Sequence, residues 1–560
     1  MAAQFELLAD LLEIEGYDAF RVLAYRRAAA LIRDTGGSIA QLALDGKAKQ
    51  LQGIGKTIEG KIVEIVEDGE VHALTKHKAI VPGDVVAFTR LPGLGPKTAR
   101  RIWKDLGVTT LPGLRKAAEA QQLRTLSGLG PKLEEGVLKA LDEEQTEAVV
   151  EVRPLLGVAL PAVLEAVESL RAHPAAVKVS EAGSARRRRE TVRDLDIIAT
   201  ATVAEALIAG FVELPWVVEV VARGGTKATV LSSQGLRFDL RVVPPECYGN
   251  LLQHFTGSKH HNVALREEAV RRGLSISEYG VKIVETGEVV THEDEAALYE
   301  FLGYAFIPPE LRENMGEIDA ARNGGLPELV ELGDLSGDLH AHTTWSADGK
   351  NSAEEMGRAA QARGYRYLAV TDHSHYLREG RMEAQDAELD ALNERLKPFR
   401  LLKGVEANIK SDGTIDVPDE VLATREWVIA SLHTSFDRSP TERIIGAMEN
   451  PHVDCIGHLT GRKIGKRSGA AIDVERVIEK AAETRTVLEI DSQPDRLDMP
   501  DFVARLAGEA GVPIAVTSDA HQLSSLEYVV LGVGQARRAW LTKEHIVNTR
   551  TWPQLQKLLR

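Results

Sequence analysis

Three patterns of apolar and polar positions follow one another along the chain of 560 residues. In residues 1–145, apolar positions recur every three to four residues, which predicts a helical region. Residues 150–245 contain short β-rich runs such as LDIIATAT and LRFDLRVV, which predict an α+β domain built on a sheet. Past residue 337, strand-like runs such as YLAVTD and PIAVTSD alternate with helical ones, and this alternation predicts a closed or nearly closed β/α barrel. The predicted fold is therefore multidomain.

A tight-turn motif occurs three times in the helical region. It reads LQGIGKTIEGKI from Leu51, LPGLGPKTARRI from Leu91 and LSGLGPKLEEGV from Leu126. Two glycines permit a tight turn, and the N-terminus of the following helix presents free N–H groups and a positive dipole end to a phosphate. One such turn would be an ordinary connection between two helices, but three copies with a lysine at the equivalent place predict phosphate binding. The glycines and lysines concerned are Gly53, Gly55 and Lys56, then Gly93, Gly95 and Lys97, and then Gly128, Gly130 and Lys132.

These turns resemble the helix-hairpin-helix family, whose members bind the DNA backbone without reading its sequence. The first copy, taken with FRVLAYRRAAALI at residues 20–32, is similar to the small lyase domain of the family X DNA polymerases. That resemblance places Arg21 and Tyr25 in a phosphate pocket and gives Lys61 the catalytic Schiff-base role. Thr57 stands where the family usually has a basic residue, and an ordinary solvated or DNA-facing lysine is the alternative for Lys61.

Residues 183–196, GSARRRRETVRDLD, combine a Gly-Ser turn, four arginines and two aspartates one residue apart. Successive strand side chains point to opposite faces, so Asp194 and Asp196 share one face and can hold the same metal ions. Asp239 lies in a second strand pattern, RFDLRVV. Three carboxylates from two neighbouring strands can hold two Mg²⁺ or Mn²⁺ ions for phosphoryl transfer, so these aspartates are the predicted catalytic and metal-binding residues.

The turn ahead of the aspartates is predicted to bind the phosphates of a nucleotide. Gly183 and Ser184 would contact the phosphates. Arg187 would stabilise the negative charge that develops on the phosphates during the reaction. For this segment taken alone, the alternative is a solvated arginine run beside a D-x-D pair that occurs by chance. The spacing of the turn and the presence of Asp239 argue against that alternative. The other three arginines of the run are expected to face DNA or solvent.

The segment LLQHFTGSKHHNVALREEAVRRGLSISEYGV, residues 251–281, follows the predicted sheet. Its FTGS, the asparagine four residues after FTGS and the later SEYG resemble the nucleotide-selecting thumb of the family X DNA polymerases. His254 stands where a tyrosine is common in that family. The resemblance assigns nucleotide contacts to Phe255, Gly257 and Asn262, and DNA contacts to Arg237, Arg241 and Arg266.

Nine histidine or carboxylate residues fall at or after the ends of the strand-like runs in the C-terminal region. One histidine in an apolar run is usually a core residue whose hydrogen bonds are made. Nine histidine or carboxylate residues at strand ends are hard to explain as packing. Barrel enzymes place their chemistry at the C-terminal ends of strands, and mixed nitrogen and oxygen donors suit Zn²⁺, Mn²⁺ or Fe²⁺. The predicted ligands are His340, His342, Asp348, His373, Glu406, His433, His458, Asp519 and His521.

The set H-x-H, T-D-H-S, E, H, H and D-A-H resembles the polymerase and histidinol phosphatase (PHP) family, whose members carry a site for three metal ions. The resemblance implies that this region hydrolyses phosphodiesters in a metal-dependent reaction. Two positions depart from the family pattern. The SADG turn has one more residue than the usual S-D-G, which affects Asp348, and Asn408 replaces a frequent aspartate.

The resemblances together set the expected domain organisation. A stretch rich in proline and glycine, IPPELRENMGEIDAARNGGLPELVELGDLSG, separates the two chemical regions and is interpreted as an interdomain connection. The expected domains are 1–80, helical DNA-binding and lyase-like; 81–145, helix-hairpin-helix fingers; 146–245, nucleotidyltransferase palm; 246–315, thumb; 316–335, linker; and 336–560, PHP phosphoesterase.

Charge and cysteine content leave a nucleic-acid partner open. The formal net charge is −15, but residues 1–250 carry 32 Lys and Arg against 33 Asp and Glu, whereas residues 251–560 carry 36 against 50. The two cysteines, Cys247 and Cys455, have no C-x-x-C spacing, so neither a disulfide framework nor a thiolate zinc site is expected. No apolar run is long enough to span a bilayer, and the N-terminus lacks a signal-peptide pattern. We expect a cytoplasmic, nucleoid-associated monomer without a membrane partner.

The resemblance implies a family X DNA-directed DNA polymerase that fills short gaps in gapped or primed DNA from deoxynucleoside triphosphates during base excision repair. Its PHP domain would be a 3′–5′ exonuclease and could also cut at abasic sites. The alternative enzyme is a repair nuclease whose polymerase half is a DNA-binding platform. A template-free nucleotidyltransferase would share the G-S and D-x-D motifs but not the three turns, and a non-enzymatic scaffold would not need two sets of metal ligands.

Overall fold

The computed structural model describes residues 1–35, 38–44, 46, 48–50, 54–89, 91, 93–126, 128–143 and 153–558. The chain forms two compact units, Met1–Val152 and Arg153–Arg560. Each unit has hydrophobic clusters of its own. The predicted polymerase aspartates and the predicted PHP ligands all lie in the second unit.

The first unit contains helices and turns and no strand in its described residues, as the spacing of apolar positions predicts. Phe5, Leu8 and Leu12 of its first helix lie three and four residues apart, and all three are fully buried in the core of this unit. The helices are α1 (Ala2–Glu15), α2 (Ala19–Thr35), α3 (Ser38–Leu44), α4 (Lys56–Asp68), α5 (His72–Lys78), α6 (Gly83–Phe88), α7 (Pro96–Leu106), α8 (Leu111–Glu119) and α9 (Pro131–Glu143).

The second unit begins with a long helix and a mixed five-stranded sheet. The elements are α10 (Leu156–Arg171), β1 (Ala176–Glu181), α11 (Gly183–Arg186), β2 (Leu195–Ala201), α12 (Ala204–Val212), β3 (Val217–Arg223), β4 (Lys227–Ser232) and β5 (Arg237–Val242). The strand order is β1-β2-β5-β4-β3, and the β2–β5 pair is the parallel one. Phe238, Leu240 and Val242 alternate along β5 as buried residues, so Asp239 lies on the opposite face of the sheet.

Helices and a small antiparallel sheet follow the five-stranded sheet. They are α13 (Tyr248–Thr256), α14 (Lys259–Arg271), β6 (Leu274–Ser277), β7 (Gly280–Ile283), β8 (Val289–Val290), α15 (Glu295–Phe301) and α16 (Glu317–Asn323). The three strands are ordered β6-β7-β8. Side-chain caps fix the starts of α14 and α15, because Ser258 accepts from the backbone N–H of His261 and Asp294 accepts from that of Ala297.

The C-terminal part of the second unit is a parallel β/α barrel of seven strands. Its elements are β9 (Gly337–Ala341), α17 (Ala353–Ala362), β10 (Tyr367–Val370), α18 (Arg381–Leu396), β11 (Arg400–Asn408), α19 (Asp419–Leu422), β12 (Trp427–Ser431), α20 (Pro440–Glu449), β13 (Cys455–Gly457), α21 (Val474–Thr484), β14 (Val487–Asp491), α22 (Asp501–Glu509), β15 (Ile514–Thr517), α23 (Val529–Arg538) and α24 (Trp552–Leu555). Neighbouring strands follow chain order from β9 to β15, and every pair is parallel. The strands are almost completely buried, as expected where both faces of a parallel sheet are covered.

The first and last strands of the barrel meet. A parallel bridge joins Ala341 to Ala520, and the backbone N–H of His342 donates to the carbonyl oxygen of Ala520 at 2.8 Å. The barrel is therefore nearly closed, and the residues that follow β9 and β15 become neighbours.

Helix α23 of the barrel packs against the five-stranded sheet domain. Leu531 is buried in the same hydrophobic cluster as Leu156 and Phe238. A Cβ at Gly534 would lie 3.1 Å from the side chain of Arg188, so glycine makes room for that arginine. Residues 531, 534 and 538 are three and four positions apart and share one face of the helix.

The structure confirms the predicted fold class in all three regions. The N-terminal region is helical, the middle is mixed α and β, and the C-terminal region is a nearly closed parallel barrel. The boundaries of the six expected domains stay predictions. None of the helices in the described part of the chain combines the length and the apolar character that a bilayer crossing needs. Cys247 and Cys455 are both buried free thiols.

Candidate active sites

Three aspartates meet at the parallel strand pair of the five-stranded sheet. Asp196 on β2 and Asp239 on β5 are register partners. Asp194 lies just ahead of β2, and its Oδ1 is 3.7 Å from the Nε of Arg237, which is also 3.2 Å from Asp239 Oδ2. The fold therefore brings together the three carboxylates predicted from the D-x-D spacing and the second strand pattern.

Asp196 holds its proton unusually tightly. Burial and the negative charges of Asp239 and Asp194 raise its pKa to about 7, and the positive charges of Arg241 and Arg187 only partly oppose that rise. Carboxylates that repel one another in this way are stabilised by a divalent cation, which displaces the proton. The donor set therefore fits a hard divalent metal ion.

The start of α11 packs directly on Asp196. Gly183 has a φ of +63°, and a Cβ at this position would lie 2.3 Å from Asp196 Oδ2. The backbone N–H of Ala182 donates to the carbonyl oxygen of Asp196 at 2.8 Å. Both the backbone conformation and the close approach require glycine at position 183. The Gly-Ser turn thus lies beside the carboxylates, while phosphate binding by Gly183 and Ser184 stays a prediction.

The arginines that follow the turn are half-buried, which corrects the expectation of fully solvated side chains, while the alternative that they face DNA stays a prediction. Arg186 Nη2 lies 2.6 Å from Glu295 Oε2, and Arg188 Nη2 lies 3.4 Å from Glu181 Oε1. Arg189 is half-buried as well. The acidic partners come from other elements of the second unit, and the pairing limits the exposure of Arg186 and Arg188 to solvent.

Arg187 is held at two points by the segment that follows the sheet. Its Nε donates to Glu313 Oε1 at 3.0 Å, and its Nη1 donates to the carbonyl oxygen of Thr256. Its charge lowers the pKa of Asp196, so the guanidinium lies within electrostatic range of the three aspartates. Burial favours the neutral form of Glu313, but the charges of Arg187 and Arg538 outweigh burial and hold its pKa well below the ordinary value.

Two of the predicted nucleotide contacts lie next to basic side chains. A Cβ at Gly257 would be 3.2 Å from Arg187 Nη1, and Gly257 has a φ of +70°. The guanidinium carbon of Arg241 lies 4.4 Å from the centroid of the Phe255 ring. Gly257 and Phe255 therefore belong to the same neighbourhood as the aspartates, because Arg187 and Arg241 both lower the pKa of Asp196.

The third predicted nucleotide contact, Asn262, is buried and makes its hydrogen bonds within α13 and α14. Its Oδ1 accepts from Gln253 Nε2 at 2.8 Å, and its Nδ2 donates to the carbonyl oxygen of His254 at 2.7 Å. Arg266 Nη2 lies 3.3 Å from His254 Nδ1. Nucleotide or DNA contacts by Asn262 and Arg266 stay predictions.

The histidines and carboxylates at the strand ends of the barrel converge. In the described part of the chain, three groups of potential ligands have atoms that all lie within 4.8 Å of one another, and all three are in the barrel. The groups are His342, His373 and His521; His340, His342 and Asp519; and His373, Glu406 and His433. Shared members link the three groups into one cluster.

Glu406 on β11 is at the centre of this cluster. Its Oε2 lies 2.8 Å from His373 Nδ1, and its Oε1 lies 3.1 Å from His433 Nε2 and 3.0 Å from His458 Nε2. Burial favours the neutral acid, but the charges of His433, His340 and His373 hold the pKa of Glu406 well below its ordinary value. The predicted ligand His458 thus contacts the cluster through Glu406.

The hydrogen-bonding pattern of the histidines fits metal ligands. The buried Nδ1 atoms of His342, His373 and His458 make no hydrogen bond to any described residue. His373 Nδ1 is among them, and it lies 2.8 Å from Glu406 Oε2. Imidazole nitrogens and carboxylate oxygens that converge in one buried cluster are suited to a cation between them. The donor set matches metals that accept both imidazole and carboxylate.

Asp348 lies at the cluster despite the extra residue in its turn. Its Oδ2 is 3.3 Å from His373 Nε2 and 3.4 Å from His521 Nε2. Burial lowers the pKa of His373, but the charges of Glu406, Asp348 and Asp519 outweigh burial and raise it to about 9. Metal ions at this site would therefore compete with protons at neutral pH.

Glu489 on β14 is a site residue that sequence interpretation missed. Its Oε1 lies 2.6 Å from His340 Nδ1 and accepts from Thr517 Oγ1 at 2.7 Å, while its Oε2 accepts from the backbone N–H of His458. A carboxylate behind a ligand imidazole fixes its tautomer and orientation. The sequence does contain a signal for it, which is an acidic residue inside the apolar run TVLEID. A buried strand tolerates such a residue only when it has hydrogen-bonding or ionic partners.

Asn408, noted as a departure from the family pattern, supports His433. The Nδ1 of His433 lies 2.7 Å from Asn408 Oδ1, and Asn408 Nδ2 donates to Asp416 Oδ2 at 2.8 Å. The amide replaces a charged group with a neutral one and still orients the imidazole. The substitution is therefore compatible with a working ligand at His433.

The three glycine turns of the first unit lead into helices as predicted. Gly55 and Gly95 cap the N-termini of α4 and α7, and Gly130 precedes α9. Gly93 and Gly128 have φ values of +78° and +83°, which L side chains rarely adopt. Helix starts of this kind present backbone N–H groups that can donate to a phosphate.

Two of the predicted phosphate-binding lysines of these turns can be placed. Lys56 and Lys97 lie in the first turns of α4 and α7, and both are exposed. Gly53 lies outside the described residues, as does the side chain of Lys132. DNA binding by the three turns stays a prediction.

The predicted lyase residues are spread between surface and core. Arg21 is exposed, with its guanidinium carbon 5.1 Å from the centroid of the Tyr17 ring, and Lys61 is half-buried on α4. Tyr25 is buried in the core of the first unit, where its ring centroid lies 6.2 Å from that of Phe5. The buried position of Tyr25 is that of a core residue, and the lyase role of Lys61 stays a prediction.

Four protein families match parts of this chain. A helix-hairpin-helix domain matches residues 1–71, and a SAM-like helix-hairpin-helix tandem matches residues 85–143. The DNA polymerase beta thumb matches residues 251–313, and the PHP domain matches residues 338–492. These matches confirm the resemblances drawn from the turn motifs, the FTGS segment and the histidine pattern.

Curated relatives extend the similarity to the whole chain. The DNA polymerase/3'-5' exonuclease PolX of Bacillus subtilis (strain 168) is 40% identical over 570 residues, which cover 99% of this chain and 98% of that protein. A probable phosphatase of Caldanaerobacter subterraneus subsp. tengcongensis is 36% identical over 197 residues, 33% of this chain and 75% of that protein. A probable phosphatase of Thermoanaerobacter sp. (strain X514) is 32% identical over 225 residues, 38% of this chain and 89% of that protein.

Proposed function

The chain belongs to the family X DNA polymerases that carry a C-terminal PHP domain, and we propose that it fills short gaps in DNA during base excision repair and trims DNA ends from the 3′ side. Its substrates would be gapped or primed DNA and deoxynucleoside triphosphates, and it would act as a monomer in the cytoplasm at the nucleoid. The observation that carries the proposal is the register pairing of Asp196 with Asp239 beside the turn at Gly183.

The polymerase reaction is assigned to the three aspartates. Asp194, Asp196 and Asp239 would hold two Mg²⁺ or Mn²⁺ ions, which supply the positive charge that activates a primer 3′-hydroxyl and neutralises the triphosphate. Asp196 must lose its proton to serve as a ligand, and its pKa of about 7 makes that loss pH-dependent near neutrality.

The triphosphate is assigned to the turn and to Arg187. The Nε and Nη1 of Arg187 donate to Glu313 and Thr256, while its Nη2 makes no hydrogen bond to a described residue and is free to donate to a phosphate oxygen. Phe255, Gly257 and Asn262 would line the nucleotide. DNA would be held by Arg237, Arg241 and Arg266 and by the lysines of the three glycine turns.

The exonuclease reaction is assigned to the barrel cluster. The nine ligands from His340 to His521 would hold three Zn²⁺, Mn²⁺ or Fe²⁺ ions, which supply the Lewis acidity that phosphodiester hydrolysis needs. Glu406 would join the ligand groups, and Glu489 would orient His340. Cleavage beside abasic sites is proposed as a reaction of the same cluster.

Two assays on purified protein test this function. Primer extension on gapped DNA with Mg²⁺ or Mn²⁺ should add nucleotides until the gap is closed, and a 5′-labelled strand should shorten stepwise from its 3′ end when Zn²⁺, Mn²⁺ or Fe²⁺ is supplied. Chelator-treated protein is the control for both reactions. Tight binding of gapped DNA without incorporation under any metal would contradict the polymerase assignment and support the alternative of a repair nuclease with a DNA-binding platform.

A further inference from the structure

Arg538 ends helix α23 of the barrel and contacts the polymerase part of the second unit. Its side chain is only 4% exposed. Its Nη1 donates to Glu313 Oε1 at 3.0 Å and to the carbonyl oxygen of Arg187 at 2.9 Å, while its Nε donates to Asp501 Oδ2 at 2.9 Å. A buried arginine with three acceptors is held in one orientation, because the planar guanidinium fixes the directions of all its N–H bonds.

The same carboxylate oxygen serves both arginines. Glu313 Oε1 accepts from Arg538 Nη1 and from Arg187 Nε, each at 3.0 Å. Arg538 thus fixes the main chain of Arg187 directly and its guanidinium through Glu313. The contacts form a continuous path from Asp501 on α22, through Arg538 and Glu313, to Arg187.

We infer that Arg538, a residue of the PHP domain, is a positioning residue of the polymerase site. It holds the guanidinium of Arg187 in place before the triphosphate arrives, so nucleotide binding does not have to order a long flexible side chain. The inference rests on the triphosphate role proposed above for Arg187. It means that the polymerase site is complete only when the PHP domain is folded against it.

If Arg538 only held the barrel and the polymerase part together, other ion pairs between these two parts would affect nucleotide binding equally. The neighbouring Arg537 also crosses to the segment before the barrel, where its Nε lies 2.8 Å from Glu310 Oε1, but no hydrogen bond described for it reaches Arg187 or Glu313. Arg537→Ala therefore removes an ion pair from the same helix end without touching the path to Arg187. It is the matched control for Arg538→Ala.

The experiment is a double-mutant cycle read by the apparent Kd of the nucleotide in single-turnover gap filling. Arg538→Ala should weaken nucleotide binding about tenfold, the scale of one lost charged hydrogen bond, and leave the rate at saturating nucleotide within about twofold. Arg538→Lys should lie between Ala and wild type, because lysine can keep one partner but not three. Arg537→Ala should retain the wild-type Kd.

The cycle separates an effect through Arg187 from a structural effect. The double variant Arg187→Ala with Arg538→Ala should bind nucleotide no more weakly than Arg187→Ala alone, because the positioning residue then has nothing to position. Exonuclease activity and the unfolding temperature report whether each variant is folded. Additive losses in the double variant, or equal losses in Arg537→Ala and Arg538→Ala, would overturn the inference.

Failure of the underlying function is distinguishable from failure of the inference. A wild-type nucleotide Kd in Arg187→Ala would remove the proposed triphosphate role, and the inference with it. A weakened Kd in Arg187→Ala beside a wild-type Kd in folded Arg538→Ala and Arg538→Lys would overturn the inference alone.

Discussion

Asp196 and Asp239 are register partners on the parallel strands β2 and β5, and this proximity helps to raise the pKa of Asp196 to about 7. Burial is the largest cause of the rise, followed by the charges of Asp239 and Asp194. The sheet therefore concentrates negative charges that repel one another in the protein without bound metal. A site of this kind lowers the stability of the free protein and is compensated when a cation binds.

Asp196→Asn should stabilise the folded protein at high pH. An ordinary aspartate ionises with a pKa of 3.8, whereas Asp196 ionises at about 7, so folding favours the protonated form. The free energy of unfolding of the wild type therefore loses this contribution as the pH rises from about 4 to about 7. The asparagine side chain does not titrate, so Asp196→Asn should unfold about 3 °C higher than wild type at pH 8 in the presence of chelator, with a smaller difference at pH 5.

Thermal unfolding at several pH values checks this prediction. Saturating Mg²⁺ should shrink the difference at pH 8, because only the wild type gains a full ligand set. A difference in unfolding temperature that is the same at pH 5 and pH 8 would contradict the raised pKa of Asp196.

A second prediction separates the two chemical centres. Asp194→Ala should reduce nucleotide incorporation by at least about a hundredfold and leave exonuclease activity largely intact. The double substitution His340→Ala with His342→Ala should do the reverse. Gap filling and end degradation measured on the same preparations decide the matter, and loss of both activities from either change in a folded protein would refute two independent sites.

Gly183→Ala should abolish most nucleotide incorporation. The added Cβ would lie 2.3 Å from Asp196 Oδ2, and the residue has a positive φ. Gly235→Ala is the matched control, since Gly235 has a φ of +74° in the turn before β5 but a Cβ added there would have no atom within 4 Å. Gap-filling rates should fall only for position 183, whereas equal losses at both positions would point to backbone strain alone.

Glu489→Gln should weaken metal binding in the barrel. The change removes the negative charge 2.6 Å from His340 Nδ1, and loss of such a partner costs about ten- to a hundredfold in metal affinity. Competition with a chelating dye and metal content after dialysis measure the effect, with Glu442→Gln in an exposed ion pair with Arg476 as the control. Gap filling should remain at the wild-type level, and an unchanged metal affinity would show that Glu489 is only a packing residue.

Lys97→Ala should weaken DNA binding to a similar degree on every sequence. One fewer phosphate contact should reduce the slope of log Kd against log salt by about one. Lys104→Ala is the control, because Lys104 lies in the last turn of α7 with its Nζ 3.6 Å from the Trp103 ring centroid. A salt slope equal to that of wild type in Lys97→Ala would exclude a phosphate contact at this turn.

Much of the fold and of the barrel site could be predicted from the sequence because strand ends carry the chemistry. His373 and His433 each follow a short apolar run, and parallel strands bring such positions to one end of a barrel. The strand pattern RFDLRVV likewise predicted that Asp239 lies on a strand next to that of Asp194 and Asp196. These inferences use only the spacing of apolar residues and the order of the strands along the chain, and both can be read directly from the sequence.

What could not be predicted depends on partners that are distant along the chain. Arg186 looks like part of a solvated basic run, but its partner Glu295 is 109 residues away. Glu489 looks like an outlier in an apolar strand until His340 is placed against it, 149 residues away. No local pattern contains such pairings, so the burial of the arginine run and the support of His340 appear only in the folded chain.

The bridge between Ala341 and Ala520 determines when the ligand group of His340, His342 and Asp519 can exist during synthesis. His340 and His342 leave the ribosome about 180 residues before Asp519, and their ligand group forms only after the last strand has joined the first. A chain terminated anywhere between these points contains all three aspartates of the five-stranded sheet but not this group of barrel ligands. Incomplete copies of the protein therefore cannot degrade DNA through that group.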